Sequence, residues 1–209
     1  MTMQVTPLTA SRRVLKFARE GRLIQRSWHD KRDGKEFACL LGAMHKDIDS
    51  VEACPASLMP DWVASLCVEL FDSQTAKDAF AWAERIGAQM GHRGWSRIDW
   101  PSIKTDFLIA VMAQALESAR PSCGKEAYWP QVERAHALVR EALRGKGDLQ
   151  AAMAAAWAAA RAAAGAAARA AAWAAAGAAA RAAAREAAWA AARTPQAAIL
   201  CDLIDARLA

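Results

Sequence analysis

The sequence predicts an all-α protein: a helical head over residues 1–147, followed over 148–209 by a long Ala-rich helix and a short C-terminal helix. Three observations carry this. Residues 151–193 repeat a tetrapeptide of three alanines and one variable residue, and alanine has the highest intrinsic helix propensity. Apolar residues elsewhere recur at three- and four-residue spacing. No segment shows sustained alternation with a period of two, the signature of a half-buried strand.

In chain order, Thr9 or Ser11 is placed to cap a first helix that runs to about Glu20 and stops at Gly21. Val14 and Phe17 face inward, and Arg12, Lys16 and Arg19 line the opposite face. A turn at Lys31 to Lys35 leads into a buried helical stripe of Phe37, Leu40, Leu41 and Met44, and a loop then reaches Pro55 and Pro60. A helix after Pro60 carries Trp62, Val63, Leu66, Leu70 and Phe71. Asp72 or Ser73 restarts a helix with Ala79, Trp82 and Ile86 inside, closed by Gly91 and Gly94. Asp99 caps a helix with Pro101 in its first turn and Ile103, Phe107, Val111 and Met112 inside. Another runs from about Pro130 to Gly145 through Val132, Ala135, Leu138, Val139 and Leu143. Asp148 caps the alanine helix, and Thr194-Pro195 reads as a stop and restart before Ile199, Leu200, Leu203 and Ile204.

The fourth slots of the repeat hold Met153, Trp157, Arg161, Gly165, Arg169, Trp173, Gly177, Arg181, Arg185, Trp189 and Arg193. Four residues overshoot one helical turn, so each successive slot lands about 40° further round the axis. No single amphipathic face results. Met153, Trp157 and Trp189 fall near one side and Trp173 nearly opposite, so a continuous helix would offer apolar contacts in two directions. The 43 residues would extend roughly 65 Å at 1.5 Å per residue. Only Gly165 and Gly177 interrupt them, each costing about 1 kcal/mol relative to Ala, and one long helix is expected. Trp, Arg and Gly share the codon form NGG, so expansion of a twelve-base unit explains the pattern as well as selection for binding does.

Composition excludes several classes. Trp28, Trp62, Trp82, Trp95, Trp100 and Trp129 supply apolar bulk for a folded head. No run of large apolar side chains is long enough for a membrane span, no secretory signal pattern opens the chain, and a cytoplasmic location with no membrane partner is expected. Cys39, Cys54, Cys67, Cys123 and Cys201 are odd in number and scattered, which reads as reduced, buried thiols and not as a zinc site or disulfide framework.

Catalytic signatures are weak. His45, Asp47 and Asp49 crowd a helix end near Cys54, where turn and capping roles explain them better than a metal or an enzyme site. His29-Asp30 lacks the upstream histidine of metal-dependent phosphohydrolases, and no phosphate loop, dinucleotide fingerprint or nucleophile elbow is present. No catalytic, cofactor-binding or metal residue is therefore assigned, and a non-enzymatic protein without cofactors is expected.

Trp28, the stretch Ala38-Cys39-Leu40-Leu41-Gly42-Ala43, the segment from Cys54-Pro55 to Asp61-Trp62, Leu70-Phe71-Asp72 and the alanine repeat together resemble a scattered group of uncharacterised proteins of GC-rich bacteria and their phages. The resemblance implies a mobile-element origin, supplies no reaction and carries no functional residue over.

The leading expectation is an interaction protein that binds a protein partner and modulates or inhibits a host macromolecular complex. Its candidate contact residues are Arg12, Lys16, Arg19, Trp157, Arg161, Arg169, Trp173, Arg181, Arg185 and Trp189. The first alternative is nucleic-acid binding through the basic N-terminal helix and the tail arginines, since residues 12–36 hold nine basic against four acidic side chains. The second is an enzyme assembled from scattered polar residues. Self-association through the Ala and Trp surface is a further expectation.

Overall fold

In a computed structural model of the chain, the described residues are 5–173 and 178–209, with side chains described there except at 149 and 167–192. Among these residues the protein is mainly helical, with a small two-stranded sheet. The chain divides into two compact units, Met1–Trp100 with Ala187–Ala209, and Pro101–Glu186. It thus leaves the first unit after Trp100 and returns to it at Ala187. The sequence pattern alone suggested a border at 147/148.

Unit 1 opens with α1, Pro7–Arg19. Its cap is Thr6 and not Thr9 or Ser11: the Thr6 hydroxyl accepts from the Thr9 amide at 3.2 Å, and Pro7 takes the first turn, where a missing N–H costs nothing. Ser11 is instead buried beside Val14 and Phe17, while Arg12, Lys16 and Arg19 are exposed as the spacing predicts.

An expected turn and helix proves to be a β-hairpin, β1 His29–Arg32 and β2 Lys35–Ala38, paired antiparallel from His29↔Ala38 to Arg32↔Lys35. Asp33 (φ 50°) and Gly34 (φ 74°) form the two-residue connection, and two successive left-handed residues match the twist of a tight hairpin. The Asp-Gly pair was the available signal; Phe37 belongs to β2 and not to a helical stripe. The fold remains mainly helical, and the correction is confined to this hairpin. Residues 22–24 run beside β2, with Ala38 donating to the Arg22 carbonyl at 3.1 Å and Ile24 to the Ala38 carbonyl at 3.0 Å.

α2 (Leu40–Met44) is wholly buried, and α3 (Asp61–Ser73) buries Val63, Ala64, Cys67, Leu70 and Phe71. Extended backbone at Gln74 separates it from α4 (Ala76–Met90), which is capped by Thr75 and not by Asp72 or Ser73. A short 3-10 turn at Trp95–Arg97 follows Gly91. Trp95 stands edge-on to Trp100 at 5.2 Å between ring centres, and Trp62 to Trp100 at 6.4 Å, a geometry that the ring quadrupoles favour.

The unit is completed by the end of α8, Ala178–Leu208. The expected restart at Thr194-Pro195 does not occur, because Pro195 lies inside this helix. An internal proline costs about 3 kcal/mol. The buried stripe of Ala197, Leu200, Cys201 and Ile204 offsets it, at roughly 1.5–3 kcal/mol for each large side chain. Gln89 of α4 donates to the Cys201 carbonyl at 2.9 Å and to Asp205 at 2.7 Å, and Arg85 reaches Asp202 at 2.6 Å.

Unit 2 holds α5 (Trp100–Cys123) from Pro101 onward, α6 (Trp129–Leu143), α7 (Leu149–Trp173) and the start of α8. Gly145, at φ 69°, ends α6, and Asp148 caps α7 by accepting from Gln150 at 2.8 Å, both as the sequence suggests. The repeat is helical on either side of residues 174–177; its continuity through Gly177 lies outside the described residues. No described helix is long and apolar enough to cross a membrane.

Candidate interaction surfaces

The polar groups most suggestive of chemistry are engaged in local contacts. His45 follows α2, and its Nδ1 accepts from the Asp47 amide at 3.3 Å, closing a turn. Lys46 bonds Asp47 at 2.6 Å and, with the smaller charges of His45 and His29, holds that carboxyl below its ordinary pKa. Asp49 is exposed at the surface. Cys54 is buried, and burial together with the Asp61 charge pushes its thiol up to about 11, so it is protonated and a poor nucleophile at neutral pH. His29 is engaged with the Ile48 carbonyl at 2.9 Å. Among the described residues, no group of three or more His, Cys, Asp or Glu side chains is placed to hold a metal ion.

Unit 2 presents a different kind of feature. Its helices bury few side chains among the described residues: Ile103 and Phe107 of α5, Trp129 and Ala135 of α6, Ala152 and Ala159 of α7. Val111, Met112 and Leu116 of α5 and Val132, Leu138 and Val139 of α6, written at core spacing, are only half-buried. α5, α6 and α7 enclose an open apolar groove of about 390 Å³. Its walls are Met112, Leu116 and Ala119 of α5, Val132, His136 and Val139 of α6, and Ala156, Ala159, Ala160 and Ala163 of α7. Those four alanines recur at three- and four-residue intervals and so share one face. Methyl groups on that face leave room that larger side chains would fill, which is why the groove exists.

By helical geometry Met153 stands at the edge of this face and Trp157 about 110° round from its centre; the two are 48% and 61% exposed. Leu108 of α5 is also exposed. Two ring nitrogens of unit 2, Trp129 Nε1 and His136 Nε2, are buried with no hydrogen-bond partner among the described residues. Burial, reinforced by the Arg140 charge, lowers the His136 pKa, so the imidazole is neutral at pH 7.

Of the ten residues expected to make contacts, Arg12, Lys16 and Arg19 are exposed together on α1, and Trp157 and Arg161 are exposed on α7. The side chains of Arg169, Trp173, Arg181, Arg185 and Trp189 lie outside the described residues. Arg12, Lys16 and Arg19 belong to unit 1, and Trp157 and Arg161 to unit 2. The groove walls on α5 and α6 were missed as contact residues, because an apolar helical stripe looks the same in a sequence whether it is covered or open. No protein-family model matches the chain, and neither curated proteins nor solved structures contain a match.

Proposed function

We propose that the protein is a non-enzymatic interaction protein that docks a helical segment of a protein partner onto unit 2, and through it modulates a larger complex. The observation that carries this reading is the open groove between α5, α6 and α7, with Met153 exposed at its edge and Trp157 exposed on the same helix. Exposed apolar patches mark interaction sites, and a buried Trp is the commonest energetic anchor of an interface. A partner helix laid along the alanine face would approach closely, since small side chains permit short interaxial distances. Its apolar residues would cover Met112, Leu116, Val132 and Val139, which unit 2 leaves half-exposed.

Affinity capture of the tagged chain from cells that express it, with and without nuclease, tests the reading. The wild type should retain one protein complex under both conditions, and the double variant M153A/W157A should lose it. Both positions are exposed, so the variant should keep its helical circular dichroism. A variant that captures the same complex as the wild type would rule out docking beside α7. Sedimentation of the purified chain as a stable dimer built on the same two residues would identify a second copy, and not a different protein, as the occupant.

A further inference from the structure

We propose that α1 and the β1–β2 hairpin of unit 1 bind the phosphate backbone of a nucleic-acid duplex, a second activity independent of the groove in unit 2. Charge in unit 1 is polarised along the chain. Residues 5–38 carry nine basic and four acidic side chains, whereas residues 39–100 carry five basic and nine acidic, and 187–209 two of each. The basic excess is confined to α1, the hairpin and the segment joining them.

The structure sorts these cations into two groups. Arg13 and Arg22 work internally: Arg13 donates to the Ala43 carbonyl at 3.2 Å and meets Glu36 at 3.7 Å, while Arg22 pairs with Glu20 at 2.6 Å and lies 4.1 Å over the Phe17 ring. Arg32 is paired with Asp30 at 2.6 Å. Arg12, Arg19, Arg26, Lys31 and Lys35 are exposed and form no ion pair among the described residues, Arg19 Nε donating to the Leu15 carbonyl at 3.1 Å, and Lys16 meets Glu20 only at 4.0 Å. Lys16 and Lys35 line one shallow cleft with Arg22 and Gly34, so the helix face and the hairpin tip form a continuous surface. Its two carboxylates, Glu20 and Glu36, are each already engaged by an arginine.

A duplex fits this surface by charge density. Arg12 to Arg19 spans roughly 10 Å of helix axis at 1.5 Å per residue, a length over which a duplex presents about six phosphate charges at one per 1.7 Å. Cations outside a close internal ion pair gain the most from such a partner, because each contact releases a condensed counterion without breaking an existing ion pair.

Fluorescence anisotropy of the full chain with a labelled DNA duplex of about 20 base pairs, titrated between about 50 and 200 mM salt, decides the matter. Contacts from Arg12, Lys16, Arg19 and Lys35 predict a log–log slope near −3.6, an affinity loss on the order of 100-fold across that range. The variant R12Q/K16Q/R19Q, with unchanged circular dichroism, should fall to a slope near −0.9 and a loss of about threefold. K35Q alone should reduce the slope by about 0.9. Absence of binding by the wild type at about 50 mM salt, or a triple variant that keeps the wild-type slope, would overturn the assignment. Tighter binding to phosphatidylglycerol vesicles than to the duplex at equal phosphate concentration would replace it with an anionic-membrane surface.

Discussion

Gly42 sits where α2 passes over the entrance to the hairpin, and a Cβ there would collide with the Trp28 carbonyl and crowd His29. Backbone cannot yield as a flexible side chain does, so Gly42→Ala should destabilise the protein by about 1–3 kcal/mol, read as a lower midpoint in chemical denaturation. Cysteine chemistry is governed at the same scale. Cys39, Cys54, Cys67 and Cys201 are buried, and burial raises all four thiols, Cys54 to about 11 and Cys201 to about 12, while Cys123 is half-exposed. Native protein treated with Ellman's reagent at pH 8 should therefore release one equivalent quickly, with the other thiols following only on unfolding. His136 supplies the pH dependence. Burial and Arg140 hold its folded pKa below the ordinary 6.5, so the unfolded chain binds the proton more readily. By linkage, this histidine's contribution weakens unit 2 as pH falls through about 6.5, and thermal melts at pH 7.5 and 5.5 should show it; His136→Gln should flatten the difference.

At the scale of elements, legibility followed how local the determining forces were. Some caps and stops set by backbone chemistry were readable, as at Gly91, Gly145 and Asp148, whereas the caps of α1 and α4 fall on Thr6 and Thr75 and not on the residues expected. Elements set by tertiary packing were not. Pro195 carries a strong local signal to start a helix, yet α8 runs through it because Ala197, Leu200, Cys201 and Ile204 are buried in unit 1. Pro195→Ala should restore a backbone hydrogen bond and raise stability by up to about 3 kcal/mol, measured as an increased melting temperature. The hairpin was missed for the opposite reason. Its strands are four residues each, too short for alternation to register, and the Asp33-Gly34 turn was its strongest sign. Seven of the ten candidate contact residues fell in the repeat, whose composition forces a helix but whose precessing fourth slots specify no face.

For the whole molecule, the two units divide the physical work. Unit 1 buries a dense set of large side chains, among them Phe71, Leu41, Met44, Ile86 and Trp95, all at 1% exposure or less. Unit 2 leaves comparable side chains partly in water around a groove floored by alanine methyls. The sequence marked the alanine tract as a packing surface but could not show that α5 and α6 stand open beside it, since openness depends on how three helices are spaced and not on any one helix. We propose this groove as the place where a partner docks. Calorimetric titration of the captured partner into wild-type protein and into Ala160→Trp, which fills the groove from the α7 side, tests it most directly. Affinity should weaken by a factor of ten or more, at least about 1.4 kcal/mol of binding free energy. A dissociation constant unchanged by the filled groove would contradict it.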